Sequence, residues 1–291
     1  GLMRSPASSR ASVTAAACRA RVAAALRGSS SARRRFSEEW HGTDNDASAL
    51  LETIGDVDRA PQPLPPPSPE QAAVVKSVRD RVNVVCEAVA GSGKTTTVLH
   101  CARDVPHLTF LVLTYNARLK LTTRQRAKQL GLSNVETHSF HACAARYYVP
   151  GCRDDETLRR LVEEDAPPRS AISFDCLVVD EAQDMTPLLH RFVLKVLRDA
   201  GNGERKQMLV LGDSRQSIYQ FRDADPRFLT MADRGVYALA SGTESRNRVA
   251  DASPPAWRHH SLRVSFRATP RIASFVNDAM LGFACIEASP R

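Results

Sequence analysis

The sequence predicts an α/β fold, a mostly parallel sheet with helices on both faces. Short apolar runs suited to buried strands recur at Asn83–Ala88, Thr109–Thr114, Asn134–Thr137, Cys176–Asp180, Met208–Gly212 and Ser261–Val264. Stretches of helical character lie between them, including Lys94–Arg103, Ala117–Leu130, Pro187–Ala200 and Pro270–Leu281. A glycine-rich loop joins the first run to the first of these helices. Strands alternating with helices build parallel sheets covered on both sides, with ligands at the carboxyl ends of the strands.

Ahead of this pattern the composition changes twice. Residues 1–37 are rich in Ala, Ser and Arg, with eight arginines and no acid. An amphipathic helix around Val13–Leu26, and arginines at Arg34 and Arg35 just before Glu38 and Glu39, resemble a mitochondrial import signal. A disordered basic tail and a nuclear signal are the alternative readings. Residues 38–68 form a linker, first acidic and then the proline run Pro61–Pro69, whose backbone cannot join a helix interior or a sheet ladder. One domain over 69–291 is therefore expected, starting near Ser68.

Charge alone assigns no partner. The chain has 40 Lys and Arg against 32 Asp and Glu, a formal +8, but eight of the bases sit in the first 37 residues. The remainder carries 32 bases and 32 acids, so any basic groove has to come from arrangement on the surface. Seven cysteines, Cys18, Cys86, Cys101, Cys143, Cys152, Cys176 and Cys285, show no paired spacing, and several lie in apolar runs, as reduced core thiols do. Zinc on Cys143, Cys152 and His141 matches no strong ligand spacing. No apolar run approaches the roughly 18 residues of a membrane span, so no membrane partner is expected.

The chemistry is concentrated in a few segments. Ala88-Val89-Ala90-Gly91-Ser92-Gly93-Lys94-Thr95 follows a strand and opens a helix, the setting in which such a loop binds phosphate. The amides of Gly91 to Thr95 would wrap a β-phosphate at a helix N-terminus, Lys94 would reach the β- and γ-phosphates, and the Thr95 hydroxyl would bind Mg²⁺. Thr96 closes the set of residues expected around ATP. The second half of the site is Leu177-Val178-Val179-Asp180-Glu181-Ala182-Gln183-Asp184, an apolar strand ending in carboxylates. Asp180 would hold Mg²⁺ through water, and Glu181 would polarise the attacking water. Together the two segments predict a P-loop NTPase, with a RecA-like sheet.

The next segment, Gly212-Asp213-Ser214-Arg215-Gln216-Ser217-Ile218-Tyr219-Gln220-Phe221-Arg222-Asp223-Ala224, is similar to motif III of the UvrD-type superfamily 1 DNA helicases. The loop resembles the same family, which commonly has alanine where other phosphate loops start with glycine. The resemblance implies that Gln216 senses the γ-phosphate while Phe221, with Tyr219 beside it, stacks on a DNA base, a contact worth ~1–3 kcal/mol for any base. It implies that Gln71 reads adenine. It places Tyr115 and Asn116, in a motif Ia-like stretch, and Phe140 and His141, in a motif Ib-like stretch, along single-stranded DNA. Ala117 replaces the lysine usual after Asn116. In Val264-Ser265-Phe266-Arg267-Ala268-Thr269, similar to motif IV, Phe266 would stack on adenine and Arg267 would act on the γ-phosphate.

The motifs run in family order from residue 69 to about 281, without motifs V and VI. About 36 residues separate His141 from Val178, so the accessory insertion common in bacterial relatives is expected to be reduced or missing. The expectation is a helicase-type ATPase domain needing ATP and Mg²⁺, with single-stranded DNA as partner. By itself it would be incomplete as a motor, to be completed by a second motor domain or a partner protein. The other reading is a nucleotide-dependent DNA- or protein-binding module with little or no hydrolysis.

Overall fold

A computed structural model describes residues 63–115, 117–201, 206–216, 223–238 and 256–289. The chain divides into two units, Gly1–Gln62 and Pro63–Arg291. The first lies outside the described residues, and with it the expected tail and most of the linker.

Six strands, β1 (Asn83–Ala88), β2 (Phe110–Thr114), β3 (Val135–Ser139), β4 (Cys176–Asp180), β5 (Gln207–Gly212) and β6 (Trp257–Leu262), form one sheet in the order β3-β2-β4-β5-β1-β6. All its pairings are parallel. The carboxyl ends of β1, β5 and β4 are therefore adjacent, with β5 in the middle. The loop after β1, the carboxylates after β4 and the segment after β5 meet at one edge of the sheet for this reason.

Alternate strand residues feed two cores, as the two-residue period of a strand requires. Val84, Cys86, Leu209, Leu211 and Val178 face one layer, shared with Val74 and Val78 of α1 (Pro69–Arg79) and Val98 and Cys101 of α2 (Lys94–Asp104). Val85, Leu111, Leu177, Val179 and Val210 face the other, with α4 (Phe140–Tyr147), α5 (Asp155–Glu163) and α6 (Pro187–Gly201), while α3 (Ala117–Gln129) links β2 to β3. In α6, Leu188, Leu189, Phe192, Val193, Val196 and Leu197 recur at helical spacing and all are buried. Burying each such side chain stabilises by about 1.5–3 kcal/mol. Lys195 lies among them, and its ammonium is matched by Asp165 at 2.7 Å and Asp199 at 3.1 Å.

Helix starts follow short-range chemistry. Ser68 and Gln71 form a reciprocal capping box on α1; Ser139 caps α4, Asp154 caps α5, and Thr269 caps α8 (Pro270–Phe275), which follows the four-residue α7 (Arg227–Thr230). The strand expected at Ser261–Val264 is instead β6, starting at Trp257, followed by a short β7 (Val264–Ser265) paired with β8 (Glu287–Ala288). Its Arg258, His259 and His260 hid it from an apolar pattern, as an edge strand with solvent-facing polar groups will. The helix expected to reach Leu281 stays α-helical only to Phe275 and widens into a π-helical stretch at Val276–Leu281. The polar, irregular sequence of Ser241 to Pro255 predicts a loop ahead of the strand leading to Arg267, and it lies outside the described residues.

Candidate nucleotide site

The loop after β1 has its carbonyls tied down from outside. Ala90 O accepts from Ser265 Oγ at 2.8 Å, and Gly91 O accepts from the Phe266 amide at 2.9 Å. Ser92 O and Gly93 O accept from Gln71 Nε2 at 3.3 and 3.4 Å, and Gly93 O also accepts from the Thr97 amide at 2.8 Å. In a planar trans peptide the N–H opposes the C=O, so carbonyls bound outward turn the following amides inward. Gly91 at φ +75° and Gly93 at φ +85° adopt the left-handed backbone that such a concave nest needs. The loop is thus shaped as an anion cradle at the start of α2, with Lys94, Thr95 and Thr96 on its first turn.

Gln71, expected to meet adenine, is enclosed, 2% exposed. Its Oε1 accepts from the Ser68 amide at 3.0 Å while its Nε2 serves the loop. It sits so close to the cradle that a Cβ on Gly93 would lie 2.7 Å from Nε2.

Lys94 Nζ approaches Ala88 O at 3.5 Å and Glu181 Oε2 at 3.3 Å. Glu181 follows β4 with φ +56°, ψ +45°, left-handed for a residue with a side chain. Strain of that kind gathers at functional sites. Asp180 ends β4, is 3% exposed, and accepts from the Glu181 amide at 3.0 Å. Burial, reinforced by the charge of Glu181 and opposed by Lys94, pushes its carboxyl up to about 7. Asp184 is pushed up to about 6, again by burial first and then Glu181. Buried carboxylates of this kind are donors that suit a divalent cation, and Thr95 and Asp180 are the residues that would hold it.

A side chain given no role by sequence reasoning connects the next segment. Gln183, buried, donates from Nε2 to Glu181 Oε2 at 2.9 Å and accepts at Oε1 from the Asp213 amide at 3.0 Å. Asp213 Oδ2 in turn accepts from Gln216 Nε2 at 2.6 Å. Lys94, Glu181, Gln183, Asp213 and Gln216 therefore form one chain of contacts from the cradle to the motif III-like segment. Gln216, expected at the γ-phosphate, is turned back onto Asp213. The local signal for Gln183 was its place as an amide between the acids Glu181 and Asp184.

The motif IV-like stretch lies against the cradle. Besides the Ser265 and Phe266 contacts, a Cβ at Gly91 would fall 2.9 Å from the Arg267 Cβ. Arg267 is exposed beside the loop, and Phe266 is 49% exposed. Glu70 fixes this stretch from α1, accepting from the Arg263 amide at 3.0 Å and the Val264 amide at 3.4 Å. Glu70 and Ser265 were not foreseen, since the contacts they make to Arg263 and to Ala90 span most of the chain.

The residues expected along DNA separate. Tyr115 is exposed at the end of β2. Phe140 is not available as a DNA contact: it is 2% exposed and packs in the core formed with α4, α5 and α6. It is the first residue of α4, whose apolar face turns inward. His141, next to it, is half-buried and pairs with Asp155 at 2.9 Å. Asn116, Tyr219 and Phe221 lie outside the described residues. Nearby, His138 Nε2 bonds Glu136 at 2.6 Å and the Tyr147 hydroxyl donates to the same carboxylate at 2.7 Å, pulling Glu136 down to about 2. The described residues contain no group of three or more His, Cys, Asp or Glu placed to hold a metal, and Cys143 and Cys152 are buried free thiols. No helix among them is long and apolar enough to cross a membrane.

The chain is similar to the ATP-dependent DNA helicase UvrD2 of Mycobacterium tuberculosis and to that of Mycobacterium bovis, each 35% identical over 104 residues, 36% of this chain. That match spans only 12% of the length of those relatives. Among solved structures it is similar to the Pif1 helicase from Candida albicans, with 14% identity and a TM-score of 0.41 over 68% of this chain and 40% of that one. It is also similar to Bacteroides Pif1 bound to single-stranded DNA, with 16% identity and a TM-score of 0.32 over 50% of this chain and 32% of that one. The UvrD-type resemblance read from the sequence is thus met by relatives of that name. The AAA domain family model matches residues 70–222, from the first turn of α1 through the segment after β5, and the chain belongs to that family.

Proposed function

We propose that this domain is an ATP-dependent, DNA helicase-type ATPase that couples ATP hydrolysis to binding of, or movement along, single-stranded DNA. The observation that supports this best is the contact chain Lys94–Glu181–Gln183–Asp213–Gln216, which joins the phosphate cradle to the segment resembling a DNA-coupling motif. The cradle amides and Lys94 bind the phosphates, Glu181 polarises the attacking water, and Arg267 stabilises charge on the γ-phosphate. Thr95 and Asp180 hold Mg²⁺, which when bound would neutralise charge on the phosphate oxygens. ATP would break the Lys94–Glu181 pair, free the carboxylate and draw Gln216 off Asp213, carrying nucleotide state to Tyr219 and Phe221. Tyr115, Asn116 and His141 would line the rest of the strand's path.

Steady-state hydrolysis by the full chain, with and without single-stranded DNA and beside Glu181→Gln, tests this. DNA-stimulated turnover that vanishes in the variant is expected. Nucleotide binding without hydrolysis under either condition would favour the binding-module reading instead.

A further inference from the structure

We infer that Thr114 is a positioning residue for the divalent cation of the nucleotide site, its hydroxyl holding a water of the cation's shell beside Asp180. This rests on the nucleotide-site reading above and deepens it, adding to Thr95 and Asp180 a residue that acts on the cation through water. Thr114 ends β2 and is the parallel register partner of Asp180, which ends β4. Neighbouring strands lie about 4.8 Å apart, so the two residues are adjacent. They also share a face. Phe110 and Val112 of β2 and Cys176 and Val178 of β4 enter the core layer that holds Val98 and Cys101 of α2. The two-residue period of a strand carries Thr114 and Asp180 to that same side, where α2 starts with Thr95 in its first turn.

Thr114 is 1% exposed, and its Oγ1 has no hydrogen-bond partner among the described residues. Its neighbours in the same row are committed. Ser139, its register partner on β3, caps α4 by accepting from the Ala142 amide at 3.4 Å, and Asp180 accepts from the Glu181 amide at 3.0 Å. An unpaired buried hydroxyl is costly, and a valine of the same shape would serve the strand without that cost. A hydroxyl at this position is accounted for by a partner that arrives with the ligand. Mg²⁺ brings one, because it dehydrates reluctantly and keeps several waters when held by one or two carboxylates and phosphates. A water of that shell would donate to Thr114 Oγ1, orienting the shell as outer groups around a metal do.

The test measures ATP affinity of the full chain by displacement of a fluorescent nucleotide, in saturating Mg²⁺ and in EDTA, for wild type, Thr114→Val and Thr114→Ser. Thermal melts of the nucleotide-free proteins accompany it. Thr114→Ser keeps the hydroxyl and is expected to match the wild-type gain in affinity on adding Mg²⁺. In Thr114→Val that gain is expected to be about tenfold smaller, the low end of the usual effect of losing an outer-shell partner. Its affinity in EDTA should equal that of wild type, and its melting midpoint without nucleotide should be equal or higher, because the hydroxyl has no protein partner to lose. A wild-type Mg²⁺ gain in Thr114→Val would overturn the inference and leave the nucleotide site intact. So would a Thr114→Val protein that loses affinity equally with and without Mg²⁺, or that melts well below wild type, since either marks the hydroxyl as structural. A wild type that binds no ATP, or binds it without regard to Mg²⁺, would overturn the nucleotide-site reading and this inference together.

Discussion

Lys94 Nζ lies 3.3 Å from Glu181 Oε2, so the cation suited to phosphate and the carboxylate suited to activating water hold each other. Two opposite consequences for substitution follow. Glu181→Gln removes the base but leaves Lys94 available, so nucleotide affinity is expected to be no weaker than wild type while hydrolysis falls by about 10²–10⁴-fold, the usual scale of general-base catalysis. Lys94→Met is expected to lose binding itself. Nucleotide titration and turnover measured on the same samples separate the two, and a hydrolysing Glu181→Gln protein would remove Glu181 from its role.

Gly212 is where β5 passes under the Gln183 bridge. A Cβ there would lie 2.5 Å from Gln183 Oε1 and 2.8 Å from Leu229 Cδ2, both packed side chains. Gly212→Ala should therefore push Gln183 off the Asp213 amide and cost about 1–3 kcal/mol, the range for overpacking a filled core. Urea denaturation would show the loss as a lower midpoint. An unchanged midpoint would mean that the bridge is looser than its distances indicate.

Asp180 and Asp184 are expected to lower the stability of the nucleotide-free protein as pH rises toward neutrality, opposed by His100, His190 and His260, whose burial holds them below their ordinary 6.5. Asp180 has an ordinary value of 3.8 but is pushed up to about 7, by burial first and then by Glu181. Between those values the folded state binds more protons than the unfolded chain, so stability falls with rising pH across that window. Asp184, up to about 6, acts in the same direction. Glu136 is shifted the other way, to about 2, so its contribution is complete above its ordinary 4.5 and adds no slope there. Thermal melts from pH 5 to 8 should show the stability of wild type falling with pH relative to that of Asp180→Asn; equal slopes in the two proteins would contradict the assignment.

Phe140 tests core against surface. Removing a fully buried aromatic typically costs 3–5 kcal/mol, so Phe140→Ala should lower the thermal midpoint by that equivalent. His141→Ala, on the half-buried neighbour, should alter stability far less and is the better probe of strand binding. A Phe140→Ala protein as stable as wild type but impaired only with DNA would restore the residue to the DNA path.

Much of the molecule is fixed by neighbours in sequence. Apolar runs with turn and cap residues between them determine β1, β2, β4 and β5, because a strand buried on both faces has to be continuously apolar. The glycines of the loop and the carboxylates closing β4 identify the cradle and its acids, because that chemistry is encoded in consecutive residues. The polar edge strand β6 and the core position of Phe140 were not readable, since both depend on which faces are covered. The links that shape the site were also out of reach: Ser265 holds Ala90 from 175 positions away, and Glu70 holds Arg263 from 193. Gln71 shows the division most clearly. Its residue type, ahead of a phosphate loop, suggested a base-reading amide, and only the packing of α1 against the loop gives that amide its bonds to Ser92 and Gly93. A side-chain amide bonds whichever partners the fold brings within reach, and those partners are set by tertiary contacts that no local pattern records.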